Sequence, residues 1–550
     1  MSGGHRRRTP GRDPRPGSQP DPRPDPRADR RDADRRDADR RDAKGRERGR
    51  ARATGAGNRS EQAPSRRARS TDPVRLLAFD VLRAVDDSDA YANLVLPPRI
   101  REAGLDARDA ALATELTYGT LRLRGRYDAV LAYCVDRPLD RVDGALLDAL
   151  RLGAHQLLST RIPAHAAVSQ TVGLVRDRIG VGPAQLANAV LRKVAAADWQ
   201  TWRERILADA DDETAALAAV ESHPAWVVRA LRDALASAGR ERAELDRLLD
   251  ADNTPAHVTL VARPGLLDRR DLAHGLEGSS EGRWSPYAVT MPGSDPGKVP
   301  SVKRGRAGVQ DEGSQLVAAA LTAAPLEGPD ERWLDLCAGP GGKSALLAAV
   351  AAGRGARLVA NEVAPHRAGL VRDNLRAVPE GSVEAVRVGD GRDIARLEPG
   401  AFDRVLVDAP CTGLGALRRR PESRWRREPS DVPPLTALQR ELLDAALDAV
   451  RPGGVVAYVT CSPHVAETRV VVADVLRARD DVEQLDAREA VAAVVRENAS
   501  TRRRADVVDG TGATDEPGTS PEDWGDGPAV QLWPHVHGTD AMHLALLRRR

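Results

Sequence analysis

From Trp333 to Thr460 one pattern recurs: a short run of β-branched and aliphatic residues, then a segment of helical periodicity. The runs are Trp333 to Cys337, Leu358 to Asn361, Val383 to Val388, Val405 to Asp408 and Val455 to Thr460. The helical segments Lys343 to Ala352, Pro365 to Ala377 and Leu435 to Val450 fall between several of them. Strands that alternate with helices predict βαβ units on a parallel sheet. Such a sheet binds its ligand outside the carboxyl ends of the strands, where a strand turns into the N-terminus of the next helix.

The rest of the chain reads differently. Up to about residue 70 there is no Leu, Ile, Val, Phe, Tyr or Trp, and Asp-Arg-Arg-Asp-Ala repeats in tandem from Asp29 to Ala43. That composition cannot bury enough apolar surface to offset ordering entropy, so residues 1–70 are expected to be disordered. The mixed charge suits weak RNA binding as well as a simple solvated tail. Order begins at Asp72-Pro73, an N-cap followed by proline at the first helical position, with Val74, Leu77, Val81, Leu82 and Val85 at helical spacing. Helical blocks Ala111 to Leu123, Ala145 to Leu158, Ala164 to Arg178 and Pro183 to Val194 follow, giving an all-α domain over 71–200. His155 and His165 fall in these helices and are expected to pack or cap, and Cys134 to be a core residue. Residues 205–305 mix helix (Pro224 to Ser237, Arg240 to Asp250) with strand-like Val258 to Val261 and read as a connecting α+β subdomain. Within the α/β region, 306–550, the polar stretch 498–527 reads as a flexible insertion and Ala541 to Leu547 as a returning edge strand.

The 83 basic and 81 acidic residues nearly cancel, so net charge identifies no partner. Four cysteines without CxxC spacing argue against a disulfide framework or structural zinc, and no metal is expected. No run approaches the ~20 apolar residues of a membrane span, and the start lacks a secretory h-region. A cytoplasmic monomer is expected. Arginine is the default cation, with only Lys44, Lys193, Lys298, Lys303 and Lys343 as lysines, so Lys343 inside a glycine loop implies a need for a compact ammonium.

That loop is Asp335-Leu336-Cys337-Ala338-Gly339-Pro340-Gly341-Gly342-Lys343. A Walker loop requires glycine where Cys337 stands, and the dinucleotide fingerprint requires glycine where Ser344 stands. The remaining reading is an S-adenosylmethionine loop formed by Cys337, Ala338, Gly339, Pro340, Gly341, Gly342 and Lys343. Glu362, ending the second strand, is placed for the ribose hydroxyls; Asp390, after the third, for the adenine; and Asp408 ends the fourth. Cys411, in Asp408-Ala409-Pro410-Cys411, and Cys461, in Thr460-Cys461-Ser462, should emerge on the same rim. Carbon 5 of cytosine is too electron-poor to take a methyl group until a nucleophile adds at carbon 6, and a thiolate is such a nucleophile.

The Pro-Cys and Thr-Cys motifs, together with Val309 to Gln315 and Trp533 to Asp540, make the region from about Val309 to Arg549 resemble the RNA cytosine-C5 methyltransferases. Tyr118 to Arg122, Arg161 to Val168 and Asn188 to Arg192 are similar to the NusB-like RNA-binding domain. The combination resembles the RsmB/Sun (Fmu) family, which acts on 16S ribosomal RNA. The resemblance implies a Rossmann-like catalytic domain, S-adenosylmethionine as cofactor, and 5-methylcytosine formed at position 967. It further implies Cys461 as nucleophile, Cys411 in product release, Asp408 hydrogen-bonded to the base, and Lys343 between cofactor and base. Glu422 stands where the family usually has Asp in Arg-Arg-x-Pro-Asp. The cationic loop after Cys411, with Arg418, Arg419, Arg420, Arg424 and Trp425, is expected to hold RNA. Two alternatives stay open: methylation of transfer RNA, and a non-catalytic RNA-binding or antitermination protein.

Overall fold

The computed structural model describes residues 72–293, 295–509 and 524–550, without the side chains of 501–509. The expected disorder of 1–70 falls outside them.

The N-terminal helices form because capping and apolar spacing coincide. The Asp72 carboxylate accepts from the N–H groups of Val74 and Arg75, and Pro73 opens helix Pro73–Ser88. Its face of Val74, Ala78, Val81 and Leu82 packs with Leu150, Leu152 and Leu191 into an all-helical core that includes Cys134. His155 is buried in helix Gly144–Leu158, its Nδ1 2.7 Å from the Tyr127 hydroxyl. His165 is exposed in the first turn of helix Ala164–Arg178, which has no side-chain cap, against the packing or capping role expected of it. This core does not stop at residue 200: Trp202, Ile206 and Val220, from helices Trp199–Asp209 and Glu213–Val220, belong to it.

The connecting region divides between its neighbours. Helices Ala225–Ser237 and Glu244–Asn253 pack their leucines and valines on Leu414, Leu417 and Trp533 of the catalytic region. Beyond them lies a four-stranded antiparallel sheet, ordered Ser280–Glu281, Ala288–Met291, Val258–Ala262, Ala307–Val309. The last strand moves the boundary past residue 305.

The large sheet has eight strands: β1 (Arg332–Asp335), β2 (Arg357–Glu362), β3 (Val383–Val388), β4 (Phe402–Asp408), β5 (Val450–Thr460), β6 (Val482–Leu485), β7 (Val530–Gln531) and β8 (His543–Arg549). Their order is β6-β8-β5-β4-β1-β2-β3, with β7 paired to β8. The five strands from β5 to β3 are parallel, and β8 runs antiparallel to both β5 and β6. β8 therefore lies inside the sheet, and β6 forms the edge, correcting the expectation for 541–547. Residues Leu544 and Leu546 face one core and Ala545 and Leu547 the other, so a strand with two apolar faces is covered on both. Residues 498–509 are not a loop but continue helix Ala487–Asp509. Asn498 is buried there and receives a hydrogen bond from Arg269 at 2.5 Å, while 510–523 lie outside the described residues. No described helix is long and apolar enough to cross a membrane.

Candidate active site

The glycine loop leaves β1 at Asp335 and enters helix Gly342–Arg354, as the pattern requires. Its path is held by its neighbours along the rim. The Ala338 N–H donates to the Asn361 carbonyl at 2.8 Å, and the Asn361 amide donates to the carbonyls of Leu336 and Gly389, both at 3.1 Å. Glu362, only 3% exposed, accepts from the Gly339 N–H at 2.9 Å and the Ala364 N–H at 3.0 Å. A Cβ on Gly339 would lie 2.3 Å from Glu362 Oε2. Gly341 has φ +108°, with the Val371 backbone 2.8 Å from where a Cβ would stand. Only glycine fits both demands. Asp390 stands beyond β3 on the same rim, its carboxylate held by Arg392, which also bonds Glu441 at 2.8 Å. That contact holds the carboxyl below its ordinary range.

Asp335, which the sequence does not single out as a candidate, is a buried acid at the start of the glycine loop. It is 1% exposed, accepts from the Ser344 hydroxyl at 2.6 Å, and leaves Oδ1 without a protein partner. Burial, opposed in part by Ser344, pushes its carboxyl up to about 7. Its place, at the end of a strand just before three glycines, is the available signal.

The thiols meet where β4 and β5 end. Cys411 and Cys461 lie with their sulfurs 3.4 Å apart, both half-buried. Lys343, from the first turn of the loop helix, donates to Asp408 Oδ2 at 2.8 Å. Burial works against the ammonium, but the charge and hydrogen bond of Asp408 outweigh it and raise its pKa. The Cys461 thiol is shifted down by the hydrogen bond from Cys411 and then, against burial and Asp408, by Lys343 and Arg420. Cys411 is shifted up by its contact with Cys461 and by its partial burial. The two thiols thus differ in character: Cys461 ionises first.

The cationic loop departs from expectation. Arg424 is 0% exposed and donates to the Ser222 carbonyl and Asn253 Oδ1, both at 2.9 Å, and to the Asp252 carbonyl at 3.2 Å. Arg418 is buried and donates to the Gly538 carbonyl at 3.0 Å, while Arg419 pairs with Asp311 at 2.5 Å and Asp540 at 3.1 Å. Trp425 is half-buried, filling the space left by the missing side chain of Gly125. Glu422 is buried too, accepting from the Ala92 N–H at 3.1 Å, and Arg426 donates to the Ala90 carbonyl at 2.6 Å. Glu422, Arg424, Trp425 and Arg426 fasten the Cys411 loop to the helical domain and Arg418 and Arg419 to Asp311 and the C-terminal segment, so these residues are engaged within the protein. Arg420 is the exception: it is exposed, with its guanidinium 5.2 Å from the centre of the Tyr91 ring.

A glycine loop on β1, a buried acid ending β2 and the sheet order above define a Rossmann-like methyltransferase. The residues present fit S-adenosylmethionine: backbone that can approach closely at the loop, the Glu362 carboxylate for hydroxyls, and the exposed apolar Val363 and Val388 beside it for a flat base. The family description "16S rRNA methyltransferase RsmB/F" matches residues 322–548, and the NusB family matches 72–196. The chain is 51% identical over 484 residues to a Mycobacterium tuberculosis (strain H37Rv) protein provisionally named methyltransferase Rv1407, covering 88% of this chain and 98% of that one. It is 32% identical over 424 residues to ribosomal RNA small subunit methyltransferase B of Pseudomonas putida (strain KT2440), covering 75% and 91%. The crystal structure of PH0851 superposes with a TM-score of 0.68 at 20% identity, covering 87% of this chain and 99% of that one, a likeness of fold. The chain belongs to the RsmB/F family of S-adenosylmethionine-dependent RNA methyltransferases, with a NusB domain in front.

Proposed function

We propose that this enzyme forms 5-methylcytosine in 16S ribosomal RNA, at position 967, through a covalent adduct between Cys461 and carbon 6 of the base. The observation that carries the reading is the pair of thiols 3.4 Å apart on the cofactor rim, with the Lys343–Asp408 ion pair on the same rim. The small-subunit RNA named for the Pseudomonas putida relative supports the choice of substrate.

The Cys461 thiolate attacks carbon 6, and the electron pair displaced from the 5,6 double bond makes carbon 5 nucleophilic. Asp408, fixed by Lys343, accepts from the exocyclic amine and orients the ring. Bound S-adenosylmethionine supplies the methyl group. Cys411, held as the protonated thiol, remains beside the sulfur that must leave. Water takes the carbon 5 proton, the C5–H electron pair restores the 5,6 double bond, and the C6–S bond breaks so that Cys461 departs as thiolate. Arg420 offers an exposed cation beside the Cys411 loop, suited to a phosphate.

The test is a denaturing gel of wild type, Cys411→Ala and Cys461→Ala after incubation with S-adenosylmethionine and labelled, unmodified 16S RNA. Accumulation of an RNA adduct by Cys411→Ala alone supports the roles, and mapping it identifies the base. Absence of an adduct from both variants, with no methyl transfer by wild type, refutes the 16S reading; transfer RNA is then the next substrate to try.

A further inference from the structure

Glu467 touches neither sulfur, yet it joins the two loops that carry them. It lies in the turn Val465–Glu467 after Cys461 and is 0% exposed. Its Oε1 accepts from the Thr412 N–H at 2.7 Å and the Gln439 amide at 3.3 Å. Its Oε2 accepts from the Thr412 hydroxyl at 2.5 Å and the Ser462 hydroxyl at 2.6 Å. Thr412 follows Cys411 and Ser462 follows Cys461, so one carboxylate grips the residue next to each thiol. Gln439 extends the grip by donating to the carbonyl of Pro410, just before Cys411, at 2.8 Å. The turn is itself tied to β5, because the Tyr458 hydroxyl donates to the Glu467 carbonyl at 2.7 Å. Elsewhere the loops are joined by backbone bonds from Ala409 to Val459 and from Gly415 to Cys461, both 2.9 Å.

We propose that Glu467 is a positioning residue that sets the spacing of the thiol pair, so that Cys411 stands ready when Cys461 must leave the methylated base. This rests on the two-cysteine reading above. Four donors converge on one buried acceptor; removing it leaves the Thr412 N–H unpaired, gives the Thr412 and Ser462 hydroxyls only each other to bond, 3.1 Å apart, and leaves Gln439 only the Pro410 carbonyl, while two loop ends lose their common anchor. Glutamine has the same shape; its oxygen can accept from the Thr412 N–H and Gln439 while its amide donates to the two hydroxyl oxygens, which can reverse their roles. Glu467→Gln should therefore preserve the spacing that Glu467→Ala loses.

Two measurements on the full-length protein test this. Phenylarsine oxide bonds two sulfurs at once only when they are close, its oxygen leaving as water with the two thiol protons. Wild type and Glu467→Gln should each take up one arsenical across Cys411 and Cys461, located by mass spectrometry and absent from Cys411→Ala; Glu467→Ala should do so at least tenfold more slowly. In the RNA assay, Glu467→Ala with both cysteines intact should accumulate adduct, with resolution slowed at least tenfold and formation changed less than threefold. Should Glu467→Ala fail to fold, Ser462→Ala, which cuts one of the ties, replaces it with the same expectations at smaller size. Capture at the wild-type rate in the alanine variant overturns the proposal, as does slowed capture with unchanged adduct resolution. Failure of the two-cysteine reading is distinguishable, because Cys411→Ala then traps no RNA whatever the arsenical shows.

Discussion

Arg424 offers the sharpest test of how this structure uses its cationic loop. Replacing it with alanine strips donors from the Ser222 carbonyl, Asn253 Oδ1 and the Asp252 carbonyl. Each buried acceptor left unpaired costs about 1–3 kcal/mol, and water entering the vacated space recovers part of that. The Asp252 carboxyl, already raised to about 7 by burial against the opposing pull of Arg424, would rise further and become neutral, which limits the charge penalty. A net loss of about 3–5 kcal/mol follows, the range for breaking a buried charged contact. With a urea m-value of about 2 kcal/mol/M, the transition that includes this junction should move down by roughly 2 M, read from tryptophan fluorescence. The affinity for 16S RNA should keep its salt dependence, because a buried guanidinium releases no counterion. The reasoning is refuted if the midpoint moves by less than about 0.3 M while the slope of log K against log salt falls by ~0.7–0.9, the signature of a lost phosphate contact.

Arg420→Ala should show the opposite pattern, a slope reduced by about 0.7–0.9 with the urea midpoint within about 0.3 M of wild type, since this side chain is exposed. Lys343→Met should move the acid limb of Cys461 alkylation to higher pH. The ammonium favours the thiolate, and its removal also leaves the opposing charge of Asp408 uncompensated; a tenfold loss of thiolate at a given pH corresponds to about 1.4 kcal/mol. An unchanged or lower limb, measured by mass spectrometry of alkylated Cys461, would contradict this electrostatic account. Gly339→Ala should weaken S-adenosylmethionine binding about 10- to 100-fold by calorimetry, the equivalent of about 1.5–3 kcal/mol for a hydrogen bond to a charged group, because its Cβ would displace Glu362 Oε2. Binding within threefold of wild type would show that the loop tolerates the displacement.

Much of the catalytic half was written in local pattern. Strands with apolar centres, a loop whose glycines answer to φ and to close contact, and Glu362, Asp408 and Cys461 at or next to strand ends depend on period and position along one stretch of chain. Strand polarity then brings them to one rim wherever the strands pair. What sequence alone left undecided were relations between distant segments. β8 reads as a strand, but its place between β5 and β6 depends on which neighbours cover it. Arg418, Arg419 and Arg424 read as an RNA-holding loop until the helical domain and the C-terminal segment close over them, since a guanidinium is satisfied by buried carbonyls as well as by phosphate. Thr412, Ser462 and Glu467 have no local signature at all; they become a unit only when β4 and β5 lie side by side. Local pattern thus determined where the glycine loop and the two cysteines stand, and tertiary closure decided which charges stay exposed and which are spent joining distant segments.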